Sequence, residues 1–165
     1  GTVGPKTNES TLVELASGAI LDNMRSYHGQ NQRAVAVSED GGESWGAIRL
    51  DDQLIEPVCQ ASILRYSWQT PEEADSKSRI VFSNPASKKR EKMTIRISYD
   101  DGATWPVERL VYAQSAAYSC LARLPNDQIA LMFERENYGS ITLVTMDLAW
   151  LEGEASAQDR SAVRL

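Results

Sequence analysis

The sequence predicts an all-β fold assembled from successive antiparallel meanders, and three observations predict it. Apolar residues recur at every second position in short runs, turn residues separate those runs, and an eight-residue pattern returns after sixty positions. Strongly periodic helical stretches are hard to find. At 165 residues and 42% hydrophobic content, the chain is long enough to bury a core of its own.

The first set of strands is expected at residues 12–15, 19–24, 33–37 and 47–50, divided by Ser17-Gly18 and by the polar stretches 26–32 and 39–44. Val35 and Val37 show the period of a half-buried strand. A second set is expected at 62–67, 79–82, 93–98 and 108–112. Within it Met93, Ile95 and Ile97 point one way, and Thr94, Arg96 and Ser98 the other. A third set, at 119–124, 128–133 and 141–148, has three clear strands. The expected domain is 1–151, followed by a polar, Ala/Ser-rich tail over 152–165 that reads as a frayed terminus or linker.

Residues 38–45 (Ser-Glu-Asp-Gly-Gly-Glu-Ser-Trp) match residues 98–105 (Ser-Tyr-Asp-Asp-Gly-Ala-Thr-Trp) position for position. In each copy an aspartate, Asp40 or Asp100, is placed to bind turn amides beside Ser38 or Ser98. A glycine, Gly42 or Gly102, permits positive φ, and a tryptophan, Trp45 or Trp105, packs beneath the hairpin. The pattern is structural; a calcium loop needs further acidic ligands and a terminal Glu that neither copy supplies. A sixty-residue period with about four strands per unit is the mark of β-propeller blades, of which about three fit here.

Composition excludes several function classes. The net charge is −6, and the densest basic cluster is Lys88, Lys89, Arg90 and Lys92, so a nucleic-acid surface is not the main function. The single histidine, His28, in a Tyr-His-Gly turn, reads as an exposed loop residue, which argues against a Ser-His-Asp or Cys-His mechanism within this chain. Cys59 and Cys120 stand far apart without a CxxC pair, so no zinc site is expected. No apolar run reaches the roughly 20 residues of a membrane span, and no signal-peptide pattern opens the chain.

The two octapeptides fit the Ser-x-Asp-x-Gly-x-Thr/Ser-Trp Asp box, and the surrounding segments resemble the bacterial-type exo-α-sialidase family, whose members are six-bladed propellers. Asn8-Glu9-Ser10-Thr11 followed by Leu21-Asp22-Asn23-Met24-Arg25 resembles the segment with the family's catalytic Glu and second clamp arginine. Phe82-Ser83-Asn84-Pro85, then Arg90, resembles the segment with the third arginine. Ala117-Tyr118-Ser119 resembles the tyrosine nucleophile site, and Leu131-Met132-Phe133-Glu134 the strand whose Glu orients the first arginine. The resemblance implies the C-terminal half of a propeller. The family's first arginine and its Asp acid/base, carried in the N-terminal half, are not found here, so the isolated chain looks incomplete as a glycoside hydrolase.

What the resemblance implies is chemically coherent. A sialoside carries a carboxylate on its anomeric carbon, which repels a carboxylate nucleophile and favours a neutral tyrosine, as the exceptions among glycosidases do. Tyr118 would attack, with retention as the family implies, and Glu9 would take its proton. Arg25 and Arg90 would clamp the substrate carboxylate with planar paired donors. Competing readings remain: Arg25 as a solvated strand-end residue, Arg96 in place of Arg90, Glu14 or Glu56 in place of Glu9. Arg96 reads as structural, Glu14 as solvent-facing, and Glu56, before Pro57, as part of a turn.

The implied ligands are terminal sialic acid glycosides or related ulosonic acid glycosides, with no cofactor and no metal. A half-propeller leaves strand edges and blade faces unpaired, so a complementary half or self-association is expected. Secretion or a periplasmic location fits the family. The other class of function is a non-catalytic Asp-box module that binds carbohydrate or a protein partner.

Overall fold

The computed structural model describes residues 3–72 and 76–153. Ten strands form two antiparallel sheets. The first runs in chain order through β1 (Thr7–Glu14), β2 (Ile20–Ser26), β3 (Gln32–Ser38) and β4 (Arg49–Ile55). The second contains β5 (Ser62–Ser67), β6 (Arg79–Pro85), β7 (Glu91–Ser98), β8 (Val107–Arg123), β9 (Ile129–Arg135) and β10 (Ser140–Met146), again as sequential neighbours. The fold is all-β as expected, apart from the short helix α1 (Leu148–Glu152).

The meanders correspond to the expected sets, with one difference in construction. Strand β8 is a single strand of 17 residues that pairs with β7 through its first half and with β9 through its second, so the second and third sets share it. The expected final strand over 141–148 ends at Met146, and Leu151 of α1 plugs the core, fully buried. The proposed tail boundary falls inside an anchored segment. Glu152 accepts from Arg79 Nε at 2.8 Å and from the Tyr99 hydroxyl at 2.6 Å, while 154–165 lie outside the described residues.

Alternation made the strands and burial now fixes them. Met93, Ile95 and Ile97 are fully buried in one core with Leu131, Val144 and Met146. A second core lies between the two sheets, where Val13, Leu21, Val35 and Leu54 meet Ile63, Ile80, Phe82 and Trp105.

The two repeated turns share one hydrogen-bond pattern. Ser38 Oγ and Ser98 Oγ each accept the glycine N–H of their turn at 2.8 Å and donate to the aspartate at 2.8 Å. Each aspartate accepts the amide and hydroxyl of Ser44 or Thr104. Gly42 and Gly102 have φ of 93° and 83°. Hydrogen bonds from Ser44 hold the Asp40 carboxyl down at about 2. Trp45 packs half-buried in the first sheet's own core. Trp105, 5.5 Å from the Phe82 ring, is buried between the sheets, and its amide donates to Gln53 of β4.

Candidate active site

Two strand irregularities aim the central pair. In β1 the register shifts between Asn8 and Ser10, leaving Glu9 as the extra residue with φ of 36°. In β8 it shifts between Ala116 and Ser119, and Tyr118 lies inside that step. A bulge turns a side chain out of the regular alternation. Here the two bulges turn a carboxylate and a phenol toward each other from different sheets.

The Tyr118 hydroxyl donates a short hydrogen bond to Glu9 Oε1. Arg25 Nη1 donates to Glu9 Oε2 at 2.5 Å and to the Tyr118 hydroxyl at 3.2 Å. Among the described residues Arg25 engages hydrogen-bond partners through Nη1 alone, so the rest of its planar fork is uncommitted. Arg90, just before β7, places its guanidinium 5.7 Å from the Tyr118 ring centroid. It donates to the Tyr138 hydroxyl at 2.8 Å and to the Val58 carbonyl at 3.2 Å. Glu134, in β9, accepts the Tyr118 backbone N–H at 3.1 Å.

The electrostatics separate the proton states of this pair. Burial raises the Glu9 pKa, but hydrogen bonds from Tyr118 and Arg25 and the charges of Arg25 and Arg90 outweigh it, leaving Glu9 below the ordinary carboxylate range. The hydrogen bond to Glu9, with burial, pushes the Tyr118 phenol above its ordinary value. At neutral pH the arrangement is an ionised carboxylate receiving the proton of a neutral phenol, beside two permanent cations. It can remove that proton as the phenolic oxygen forms a new bond, and it can hold an anion next to the same oxygen.

Two clefts flank the tyrosine. One, of about 250 Å³, is walled by Tyr118, Cys120, Met132, Phe133 and Glu134. The other, of about 300 Å³, is walled by Arg90, Ala117, Glu134, Arg135 and Tyr138.

The structure therefore brings together Glu9, Arg25, Arg90, Tyr118 and Glu134, residues far apart in the chain. The competitors fall elsewhere. Glu14 is exposed, and Arg96 is buried, donating to Glu108 Oε2 at 3.0 Å and to Asn84 Oδ1 at 3.2 Å. Glu56 precedes the bend at Pro57 and Val58, in the turn-like setting expected. It is fully buried, with Oε2 2.9 Å from Arg33 Nη1. His28 is half-buried rather than exposed. Sequence reasoning missed Arg33, Glu56 and Gln60 as a group. The available signal was Arg33 itself, an arginine in phase with Val35 on a strand bounded by buried residues, which demands a carboxylate partner.

Several known proteins are similar to this chain. No protein-family profile matches the chain. It is 39% identical over 152 residues to a sialidase of Micromonospora viridifaciens, covering 92% of this chain and 23% of that protein. It is 32% identical over 133 residues to a sialidase of Bacteroides fragilis, covering 78% of this chain and 24% of that protein. Among solved structures, Hadza microbial sialidase Hz136 superposes with a TM-score of 0.78 at 29% identity, over 90% of this chain and 29% of that one. A leech intramolecular trans-sialidase superposes at 0.76 and 25% identity, over 89% of this chain and 24% of its own. The chain spans about a quarter of the length of the curated relatives it matches. At 39% identity to a sialidase over 92% of its length, the chain belongs to the bacterial-type sialidase family.

Proposed function

We propose that this chain supplies the nucleophile side of a sialidase site, acting on terminal sialic acid glycosides or related ulosonic acid glycosides. The observation that carries the reading is the hydrogen bond from Tyr118 to Glu9, with Arg25 and Arg90 alongside. Arg25 and Arg90 receive the carboxylate of the sugar, which fixes the ring and neutralises the charge that opposes approach. The Tyr118 oxygen forms a bond to the anomeric carbon as its proton passes to Glu9, and the bond from that carbon to the aglycone oxygen breaks. The leaving oxygen takes a proton from a general acid. Water then attacks the anomeric carbon from the opposite face and gives a proton to the conjugate base of that acid; the bond from the carbon to the Tyr118 oxygen breaks, and Glu9, protonated in the first step, returns its proton to that oxygen. Two displacements return the configuration of the starting glycoside.

In this reading the general acid and a further arginine come from additional protein. The surface of the last sheet supports that part of the proposal. Met132, Ile141 and Leu143 stand exposed on β9 and β10, and Glu134 opens onto both clefts beside Tyr118. A complementary propeller half packed over this face would cover the apolar side chains and bring polar groups to Glu134.

The test is release of the phenol from an aryl α-sialoside, whose leaving group needs little acid assistance, by the chain and by Tyr118→Phe. Turnover that vanishes in Tyr118→Phe supports the reading. Binding of sialic acid without any Tyr118-dependent turnover would favour a carbohydrate-binding module, and the absence of both turnover and binding would overturn the assignment.

A further inference from the structure

The segment 56–60 crosses from β4 of the first sheet to β5 of the second, bonding to Arg90 and to the neighbours of Arg25 and Tyr118 without contributing a side chain to the site's chemistry. Glu56 Oε1 accepts the N–H of Ser26 at 2.7 Å, next to Arg25. Its Oε2 accepts from Arg33 Nη1 at 2.9 Å and from the Cys59 amide at 3.2 Å. Arg33, with its side chain fully buried, returns a bond to the Cys59 carbonyl at 2.7 Å and holds Asn23 of β2 through Oδ1 at 2.6 Å. Asn31 closes the ends of the crossing, donating to the Glu56 carbonyl and accepting its amide.

Two residues further, Val58 has φ of 54°. A β-branched residue in the left-handed region is strained, and such strain persists only where surrounding contacts impose it. The carbonyl of that residue accepts Arg90 Nη2 at 3.2 Å. Gln60 then grips the backbone of Ser119 from both sides, accepting its N–H at 2.9 Å and donating to its carbonyl at 3.0 Å. Ser119 follows Tyr118 directly, at the edge of the bulge that turns the phenol toward Glu9.

We infer that the segment 56–60 is a positioning element, in which Glu56, Val58 and Gln60 set the spacing of Arg25, Arg90 and Tyr118 from one short stretch of backbone. The buried Arg33–Glu56 pair holds the segment to the first sheet, and Gln60 holds it to the second. The strained Val58 carbonyl is the point at which Arg90 is aimed. None of these groups reacts, and each acts through a neighbour that does. The inference names positioning residues for the site proposed above and rests on that reading only where it concerns sialic acid.

The test uses the full chain with ¹³C-labelled tyrosine, following the ring signals against pH, with Tyr118 assigned by its disappearance in Tyr118→Phe. Gln60→Ala frees Ser119, so the bond from Tyr118 to Glu9 loosens and the Tyr118 titration moves down toward the ordinary phenol range. Val58→Gly leaves the backbone as free at negative φ as at positive, so the carbonyl is no longer fixed toward Arg90 and the guanidinium is no longer held over the ring. Loss of that cation moves the Tyr118 titration up, while the melting temperature stays level or rises. N-acetylneuraminic acid binding, read by ligand NMR, weakens roughly tenfold in each variant. Opposite titration shifts in the two folded variants support the inference, and a Tyr118 titration unmoved in both overturns it. Failure of the unmodified chain to bind N-acetylneuraminic acid would overturn the sialic acid reading instead, and the titrations would still decide the role of the segment.

Discussion

Replacing Glu56 by methionine removes the carboxylate from three donors at once: the Ser26 amide, the Arg33 guanidinium and the Cys59 amide. Arg33 keeps Asn23 and the Cys59 carbonyl but loses its counter-charge, and its side chain is 0% exposed. An ion stranded this way costs about 3–5 kcal/mol. For a chain of this length, that corresponds to a fall in melting temperature of roughly 6–20 °C. The informative variant is the double, Arg33→Met with Glu56→Met. With both charges gone, no uncompensated ion remains, so the double costs no more than Glu56→Met alone. Urea unfolding of wild type, both singles and the double, followed by tryptophan fluorescence, closes the cycle. Single costs that add in the double to within about 0.5 kcal/mol would show two independent residues and refute the reasoning.

Other consequences follow from the same geometry. Glu9 has a depressed pKa in the folded chain, so its pairing contributes stability above the ordinary Glu value near 4.3, lost as pH falls through the lower folded value. The melting-temperature gap between wild type and Glu9→Gln is therefore widest near pH 6 and closes in acid; a gap independent of pH would contradict the assignment. Arg25→Lys retains the charge but not the planar fork, and should weaken N-acetylneuraminic acid binding by roughly 10–100-fold, as measured by titration calorimetry. Asp100→Ala lowers the melting temperature more than Asp40→Ala, because its turn carries the buried Trp105 between the sheets while Trp45 is half-exposed.

Much of this structure was legible in the sequence because its strands alternate. Met93, Ile95 and Ile97 were assigned one face and are all fully buried, although Thr94, Arg96 and Ser98 on the opposite face are buried as well, so β7 is a central strand rather than a half-buried one; the two repeated turns closed with the same bonds to Ser38, Asp40, Ser98 and Asp100. The site residues were reached through resemblance rather than periodicity. Glu9 lies in a stretch of polar residues, Thr7 to Thr11, that carries no apolar alternation, so β1 was expected to start five residues later than it does. The bulges that aim Glu9 and Tyr118 leave no mark in a single sequence, because an extra residue in one strand is defined only by its partner strand. The same holds for the length of β8, where the small polar run through Ser115 and Ala116 read as a break between strands. The Arg33–Glu56 pair was missed for another reason: the phase of Arg33 with Val35 marks it for burial, but which carboxylate meets it is set by tertiary pairing, which period does not encode.

On the proposed function, Tyr118, activated by Glu9, is a nucleophile toward the anomeric carbon of a sialic acid. The most direct test is covalent trapping with a sialyl fluoride carrying a second fluorine at C3. Fluoride departs without a proton from a general acid, and the C3 fluorine slows hydrolysis of the product, so the nucleophile side of the site is tested alone. The expected result is a mass gain of one sialyl group, mapped by peptide sequencing to Tyr118 and absent from Tyr118→Phe. A folded chain that gains no adduct, or one whose adduct survives Tyr118→Phe, would contradict the proposed function.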